Sequence, residues 1–407
     1  MWTVIRHRSV FALMSALALV GMSGAQSLTW LGVVSADAYE SEATGVSADG
    51  RVVVGTSRAS APRAFRWTRE SGMQDLGTIG GILALGTAVS ADGQTIVGYS
   101  SDTNGNLLGF RWRNGQMTSL GALYVLWSEA YGVSADGAVI SGHAFWGYSF
   151  IAVRWDNGVI RNLGTLSGAN ASRAWGVSGD GQVVVGAAFY PSQGLPEARA
   201  VYWRGNAIHQ LGAVDGYRRS WAFAASHDGS VVVGYALSDN ENGPSTSIRW
   251  VNGQPQNLGW LSGADPDGSI AYGVSGDGEI VVGNSDGRAY RWTPQTGMQN
   301  LNTVYAHLLT DGSRLHSANA ISPDGRFIVG TGYNAATQRT EAFLLDTCSV
   351  HNGDVNASGC VDDADLLQVL FHFGRAGQGL GRLDVNCDGI VDDADLLVVL
   401  FNFGAGC

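Results

Sequence analysis

Short apolar runs alternate with Asp-Gly turns along most of the chain. In the first copy, Val46-Ser47 and Val52-Val53-Val54 flank Asp49-Gly50, Ala64-Phe65-Arg66-Trp67 alternates apolar with polar residues, and residues 73–76 form a fourth run. An Asp-Gly pair between β-branched runs is a strong hairpin signal, and such alternation is typical of half-buried strands. The pattern therefore predicts four antiparallel strands in each copy.

The Asp-Gly turn returns at intervals of 43 to 49 residues. Its seven copies are Asp49-Gly50, Asp92-Gly93, Asp136-Gly137, Asp180-Gly181, Asp228-Gly229, Asp277-Gly278 and Asp324-Gly325. Four strands at this period predict an all-β, seven-bladed β-propeller. A parallel β-helix would need shorter repeats, and a helical solenoid would show a period of 3.6.

The two ends of the repeat region complement each other. Residues 27–32 look like a fourth strand but precede the first hairpin, whereas residues 342–345 form a third strand with no fourth after it. We therefore expect the N-terminal strand to complete the seventh blade. This pairing would remove the two open sheet edges that a linear array leaves exposed.

Residues 1–25 have the features of a secretory signal peptide. Arg6 and Arg8 precede an apolar run over residues 10–20, and Ser23-Gly24-Ala25 offers small residues for cleavage. The run is too short for a membrane span, and no later run approaches the required length of about 20 residues. We expect a mature, secreted or cell-surface protein that begins near Gln26, with a monomeric propeller over residues 26–346.

The charge of the chain argues against nucleic acid as a partner. Its formal charge is −11, and all 24 basic residues are arginine. Neutralising phosphates requires a basic face. The recurring Gly-Val-Ser-x-Asp-Gly, Val-Val-Gly and Ala-Phe-Arg-Trp segments resemble the extracellular HAF-type repeat family. That resemblance implies the repeat architecture and no particular reaction.

All four cysteines follow the repeats, within residues 347–407: Cys348, Cys360, Cys387 and Cys407. In a secreted chain they predict two disulfides, for which three connectivities are open. A metal site is the alternative use, but no Cys-x-x-Cys spacing is present.

The same C-terminal segment contains two similar acidic loops, each followed by a short apolar helix. Oxygen ligands at loop positions 1, 3, 5, 7, 9 and 12, with glycine at 6, suit a hard cation such as calcium. Position 7 would contribute its backbone carbonyl. The first loop offers Asp354, Asn356, Ser358, Cys360, Asp362 and Asp365. The second offers Asp384, Asn386, Asp388, Ile390, Asp392 and Asp395, so we expect two calcium ions.

Two calcium loops with Asp at position 12, each followed by one helix, resemble a type I dockerin module. The resemblance implies calcium-ordered folding and docking onto a cohesin-type or cell-surface partner, often in assemblies that degrade polysaccharides. Ser358 departs from the acidic residue usual at position 5. The expected docking faces carry Leu366, Leu367, Val369 and Leu370 in one helix and Leu396, Leu397, Val399 and Leu400 in the other.

Function in a repeat protein should lie where the repeats differ. The residue before each Gly-Val-Ser segment varies in the order Thr44, Thr87, Tyr131, Trp175, Phe223, Tyr272, Asn319. If the four consecutive aromatics point into a channel mouth, they can stack on sugar rings or peptide aromatics. The alternative is packing between blades. We assign the Asp-Gly turns and the recurring tryptophans, for example Trp155 and Trp203, to the fold itself.

The sequence predicts no catalytic residue. The histidines do not form ligand spacings, and the glutamates are scattered over many loops. The leading hypothesis is a propeller for binding or display, attached through a calcium-dependent module. A propeller glycosidase or lyase and a purely structural surface protein are the alternatives.

Overall fold

The computed structural model describes residues 26–191, 197–239, 243–261, 268–348, 352–356, 358, 360–376, 380–388 and 390–407. The predicted signal peptide, residues 1–25, lies outside these described residues. One compact unit is built from Gln26–Thr347, and a second from Cys348–Arg375 and Arg382–Cys407.

The first unit consists of antiparallel sheets whose strands follow the sequence repeats. Five sheets have four strands each, paired in chain order. The second repeat forms β6 Gly80–Val89, β7 Ile96–Asp102, β8 Leu107–Arg113 and β9 Gln116–Ser119. The third forms β10 Ser128–Val133, β11 Val139–Trp146, β12 Ser149–Asp156 and β13 Val159–Asn162. The fourth forms β14 Ala171–Val177, β15 Val183–Tyr190, β16 Glu197–Arg204 and β17 Ala207–Gln210. The fifth forms β18 Arg219–Ala225, β19 Val231–Leu237, β20 Ser245–Val251 and β21 Gln254–Gly259. The sixth forms β22 Ser269–Val274, β23 Val281–Ser285, β24 Arg288–Thr293 and β25 Gly297–Asn300.

The first and seventh repeats share one eight-stranded sheet. Its strands are β1 Ser27–Trp30, β2 Glu40–Val46, β3 Val53–Arg58, β4 Pro62–Thr68, β5 Gly72–Asp75, β26 Arg314–Ile321, β27 Phe327–Asn334 and β28 Arg339–Asp346. Only Glu40 and Thr340 pair between β2 and β28, whereas β1 pairs with β28 over four residues. The predicted pairing of the N-terminal strand with the last repeat is confirmed. A short helix, α1 Leu301–Val304, precedes the seventh repeat.

The first strands of the repeats surround a channel. Each of β2, β6, β10, β14, β18 and β22 contacts the first strand of the next repeat, and β26 contacts β2. Backbone hydrogen bonds support these contacts: Ala48 N–H donates to Ala91 O at 2.9 Å, and the series ends where Gly276 N–H donates to Pro323 O at 2.7 Å. Because proline has no N–H, Pro323 cannot donate such a bond onward to the first repeat.

The Asp-Gly turns stabilise the hairpins, as the sequence predicts. In the first, Ser47 Oγ donates to Asp49 Oδ1 at 2.6 Å, and Asp49 Oδ1 accepts from Arg51 N–H at 3.0 Å. Ser47 Oγ also accepts from Val52 N–H at 3.0 Å. The same Ser–Asp bond recurs in all seven copies. These aspartates therefore hold turns of the fold.

The recurring tryptophans lie in the core between neighbouring repeats. Trp155, Trp203 and Trp250 are almost completely buried, and Trp250 packs in one cluster with Val183 and Val185 of the preceding repeat. Their prediction as core residues is confirmed. Val53 and Val54 are fully buried too, as expected for a strand covered on both faces.

The second unit has internal symmetry. Its helices are α2 Asp363–Phe371 and α3 Asp393–Phe401. Val361 exchanges backbone hydrogen bonds with the segment after α3, through Ala405 O and Gly404 N–H, and Val391 does the same with the segment after α2. Disulfides join Cys348 to Cys387 and Cys360 to Cys407. The two predicted disulfides are confirmed, and their connectivity is now defined. No helix among the described residues is long and apolar enough to span a membrane.

Candidate functional sites

A β-bulge occurs at the variable position in every repeat. The register of each first strand with the second shifts around this residue, for example between Ala130 and Gly132 and between Ala174 and Gly176. The extra residues are Thr44, Thr87, Tyr131, Trp175, Phe223, Tyr272 and Asn319. A bulge re-aims a side chain, and all seven side chains are half-buried.

The polar members of this ring bind the neighbouring repeat. Thr44 Oγ1 donates to Gly86 O at 3.0 Å, and Thr87 Oγ1 donates to Ala130 O at 3.0 Å. Asn319 Nδ2 donates to Ala43 O at 3.0 Å and so joins the seventh repeat to the first. Their hydrogen-bond donors are thus used within the protein.

The aromatic members form a partly continuous arc. Phe223 meets Trp175 edge to face at 5.4 Å and stacks on Tyr272 at 5.9 Å between ring centroids. Tyr131 lies apart from this chain of rings and stacks instead on His143 at 5.3 Å. The rings therefore contact one another between repeats, as the packing alternative requires.

Three of the four predicted aromatics also line a cavity of about 680 Å³ at one end of the channel, which we call the mouth cavity. They are Tyr131, Trp175 and Tyr272, whereas Phe223 contacts Trp175 and Tyr272 but is not among the lining residues. The other lining residues are Glu40, Ser41, Glu42, Thr44, Thr87, Asn284, His316, Ser317, Asn319 and Thr331. A deeper channel section of about 240 Å³ shares five of these side chains.

Two glutamates of the first repeat line the mouth cavity together. Arg58 Nε lies 2.8 Å from Glu40 Oε1, and Arg58 Nη2 lies 3.5 Å from Glu42 Oε2. Glu42 Oε1 also accepts from Asn319 Nδ2 at 3.2 Å. The sequence did not pair these glutamates. Extending the repeat comparison two residues upstream of the variable position would have found Glu42, because alternate residues of a strand share a face.

A partly buried polar cluster around Glu129 includes Tyr131 and was also missed. Glu129 Oε2 accepts from the Tyr131 hydroxyl at 2.7 Å and lies 3.2 Å from His143 Nε2. Glu129 Oε1 accepts from Trp127 Nε1 at 3.0 Å. Glu129 occupies the same repeat position as Glu42, so the same two-residue extension would have found it.

Burial and hydrogen bonding shift both ionisable groups of this cluster. Burial opposes ionisation of Glu129, but hydrogen bonds from His143, Trp127 and Tyr131 outweigh it and lower the pKa of Glu129 to about 2. Burial lowers the pKa of His143, and the Glu129 carboxylate only partly offsets that effect. The cluster therefore holds a charged carboxylate beside a neutral imidazole that donates from Nε2.

In the second unit, the predicted calcium loops bring their carboxylates inward. Asp365 and Asp395, at position 12, are fully buried, and Asp354 and Asp384, at position 1, are nearly so. Asp395 Oδ1 accepts from Asn386 N–H at 3.0 Å and Oδ2 from Asp392 N–H at 2.9 Å. Asp365 accepts from the corresponding amides of Asn356 and Asp362 at the same two distances. The position-6 glycines lie outside the described residues.

The second loop gathers three carboxylates. Oxygen atoms of Asp384, Asp388 and Asp395 lie within 4.8 Å of one another, and this group could hold a metal ion. Asp392, at position 9, also caps α3, since its side chain accepts from Ala394 N–H at 2.8 Å. In the first loop Ser358 stands where the second has Asp388, so the negative charge there is smaller.

The helix faces differ in part from the prediction. Val369 and Val399 are fully buried, so their expected exposure on a docking face is wrong. Leu367, Leu370, Leu397 and Leu400 are about half exposed. The exposed set also contains four residues that were not predicted: Phe371, Phe373, Phe401 and Phe403.

Neither a family model nor a curated protein sequence matches the chain. Solved structures resemble it in fold. An oligogalacturonate lyase from Vibrio parahaemolyticus gives a TM-score of 0.52 at 11% identity over 79% of this chain and 94% of that chain. The β-propeller domain of the Trilobed protease from Pyrococcus furiosus gives 0.46 at 10% identity over 77% and 95%. At such identities the likeness concerns the fold alone. The first unit is a β-propeller.

Proposed function

We propose that this chain is a secreted binding protein. A seven-bladed propeller takes a ligand at the mouth cavity, and a calcium-dependent, dockerin-like module attaches the propeller to a cohesin-type or cell-surface partner. The observation that carries the proposal is the repeated set of buried carboxylates in the two acidic loops. The HAF-type resemblance agrees with an extracellular repeat protein.

The seven-blade count is supported by the pairing within the eight-stranded sheet. Strands β26, β27, β28 and β1 pair side by side, as do β2 to β5, and one residue pair joins the two sets. Together with five four-stranded sheets, this gives seven sets of four. The cyclic contacts of the first strands support ring closure.

Calcium is supported by the ligand chemistry of the loops. Burying several carboxylates close together is unfavourable unless a cation or hydrogen bonds compensate their charge. Asp354, Asp365, Asp384 and Asp395 are buried, and a backbone amide of its own loop donates to each of them. Carboxylate, amide and carbonyl oxygens select a hard cation, and the loop spacing suits calcium. The ion would supply charge neutralisation and order, and the chain would supply the twelve predicted ligand positions.

Partner docking is supported by the exposed apolar residues of the two helices. Each helix presents Leu, Leu, Phe at equivalent positions and a second Phe two residues after its end, with Phe371 and Phe401 the most exposed. Exposed large apolar residues that recur in both halves of the module favour an interaction site. A cohesin-type domain is the partner that the dockerin resemblance implies.

Calorimetry of the full chain, from residue 26, tests the module. We expect two calcium ions to bind and a cohesin domain to be captured only when calcium is present. Absence of calcium binding, or capture that a chelator does not change, would contradict the proposal. Capture should also weaken in Phe371→Ala with Phe401→Ala, whereas changing buried Val369 would test the fold instead.

Secretion is supported by the disulfides, because such bonds persist in oxidising compartments. N-terminal sequencing of protein recovered from the culture medium should begin near Gln26. Recovery of an uncleaved chain from the cytoplasm would contradict it.

Glycoside hydrolysis is a second candidate for the propeller. Glu40 and Glu42 line the mouth cavity beside Trp175, and a pair of carboxylates is what most glycosidases use. Release of reducing sugar from polysaccharides, abolished in both Glu40→Gln and Glu42→Gln, would favour the enzyme. Binding without release would favour the binding protein.

A further inference from the structure

The mouth cavity offers charge as well as aromatic stacking surfaces. Its described lining contains two glutamates and no arginine, and the whole chain has no lysine. Arg58 contacts both glutamates and compensates one of the two charges. Burial lowers the pKa of His316, and Arg314 lowers it further, so this lining imidazole is neutral near pH 7. The cavity is therefore net negative.

Most polar side chains of the lining also have their donors in use. Tyr131 donates to Glu129, Asn284 Nδ2 donates to His316 O at 2.7 Å, and Ser317 Oγ donates to Asn319 Oδ1 at 2.6 Å. Thr44, Thr87 and Asn319 donate to backbone carbonyls, as described above. The lining therefore offers a ligand mainly hydrogen-bond acceptors, namely the lone pairs of these oxygens and the glutamate carboxylates. Such a lining favours a ligand that is rich in hydrogen-bond donors.

Trp175 and Tyr272 add two aromatic rings to the lining of the mouth cavity. Among the described residues their side chains make no hydrogen bond, so the indole N–H and the phenol O–H have no protein partner there. Their ring faces attract a cation through the aromatic quadrupole and also accept flat apolar surface. A ligand that satisfies all three features has a ring, hydroxyl groups and an ammonium group.

We propose that the mouth cavity binds an unacetylated amino sugar, with its ammonium group directed to Glu40 and Glu42 and its ring against Trp175 and Tyr272. This inference rests on the proposed function, in which the mouth cavity is the ligand site of the propeller. It also separates this chain from a uronate-binding propeller, because a carboxylated sugar would meet the same two glutamates with like charge.

The test is calorimetry of the full chain with three oligosaccharides of equal length: a glucosamine oligomer, its N-acetylated form and a galacturonate oligomer. Calcium is kept constant in all solutions so that the module does not vary. We expect the glucosamine oligomer to bind about tenfold or more tightly than the acetylated one, with a preference that falls as salt screens the charges. The galacturonate oligomer should bind most weakly.

Isosteric variants test which residues cause the preference for the glucosamine oligomer. Glu40→Gln and Glu42→Gln should each reduce the preference for the glucosamine oligomer over its acetylated form. Glu197→Gln is the matched control, because Glu197 is about equally exposed and also paired with an arginine, but does not line the cavity. Trp175→Ala should weaken the binding of both the glucosamine oligomer and its acetylated form.

The outcomes separate the inference from the function on which it rests. Equal or tighter binding of the acetylated or galacturonate oligomer overturns the amino-sugar assignment and leaves a ligand site at the mouth. No binding of the glucosamine oligomer overturns the assignment outright. A lysine oligomer that displaces the glucosamine oligomer at lower concentration would identify a basic peptide instead. Sugar binding that Trp175→Ala does not change would contradict the mouth cavity as the site itself.

Discussion

Trp30 and Phe343 are register partners in β1 and β28, and their rings meet edge to face with centroids 6.2 Å apart. This contact joins the N-terminal strand to the last repeat. It matters because the series of backbone bonds between repeats ends at Pro323, which has no N–H to continue it. Closure between the seventh and first repeats therefore depends on β1 and on side chains such as Asn319.

Deleting residues 27–32 should open this junction. The edge of β28 and the buried side chain of Phe343 would become exposed, so we expect a loss of several kcal/mol in the free energy of unfolding, with aggregation. Trp30→Ala should reproduce part of the loss without removing the strand. Thermal denaturation and light scattering measure both effects, and an unchanged melting temperature in the deletion variant would rule out closure through β1.

The repeat architecture could be predicted from sequence because each repeat contains its own turn chemistry. The Asp-Gly pairs, the Val-Val-Val triplets and the alternating third strands lie within a single repeat, and local patterns of this kind define hairpins. The missing fourth strand of the last repeat even predicted the pairing of β1. What joins the repeats was not visible, since Pro323 and Asn319 matter only through partners in another repeat.

The mouth cavity was predictable only in part. The variable position indicated Tyr131, Trp175 and Tyr272, but the bulge that directs them into the channel has no separate signature in the sequence. Glu40, Glu42 and Arg58 come together across two strands, and Glu129 meets His143 in the same way. Such pairs depend on register, which single residues do not reveal.

Trp175→Ala distinguishes ligand binding from packing. Trp175 is half-buried, lines the mouth cavity and contacts Phe223. We expect ligand affinity to fall by about 1–3 kcal/mol, as for an exposed aromatic anchor. Stability should fall less than in Trp203→Ala, since truncating a fully buried aromatic typically costs about 3–5 kcal/mol.

The comparison needs both variants in the same buffer, with thermal denaturation and titration of the same sugar. If Trp175→Ala loses as much stability as Trp203→Ala and both lose binding alike, Trp175 serves the core. Full binding in Trp175→Ala would remove it from the ligand site.

The Glu129–His143 cluster should make the propeller sensitive to acid. The pKa of Glu129 falls from 4.5 to about 2 on folding, so its contribution is present above pH 4.5 and is lost as the pH falls towards 2. The pKa of His143 also falls on folding, from 6.5. Below about pH 6.5 protons therefore bind preferentially to the unfolded chain, and the free energy of unfolding decreases. Both lowered pKa values therefore make the folded propeller less stable in acid.

Glu129→Gln should therefore lower the melting temperature at pH 7 and flatten its decrease between about pH 4.5 and pH 2. Tyr131, which donates to Glu129, should lose orientation, so ligand affinity should fall as well. Glu197→Gln provides the control for a surface glutamate. If the melting temperature falls with pH in the same way in Glu129→Gln and in the unaltered protein, Glu129 does not cause the loss of stability in acid.

The two calcium loops should differ in affinity because position 5 differs. The second loop offers four carboxylates, at Asp384, Asp388, Asp392 and Asp395, whereas Ser358 leaves the first loop with three. Ligand charge raises calcium affinity, so the second loop should fill first. Asp395→Ala should harm the module more than Asp365→Ala, but both residues also accept backbone hydrogen bonds, and their loss would disturb the fold without any metal.

Exchanging the residues at position 5 reduces that complication, because Ser358 and Asp388 are both exposed. Each also accepts from the amide of position 7, Cys360 at 3.3 Å and Ile390 at 3.0 Å, so either side chain can keep this bond. Asp388→Ser should weaken the tighter calcium site, and Ser358→Asp should strengthen the weaker one, each by about tenfold. Asp393→Ser is the matched control: Asp393 is exposed on the first turn of α3 and is not among the predicted ligands. Calorimetry measures both affinities in oxidised and in reduced protein, since the disulfides hold the loops together and can mask a loss of calcium-driven order. Two sites of equal affinity that neither exchange alters would contradict position 5 as a calcium ligand.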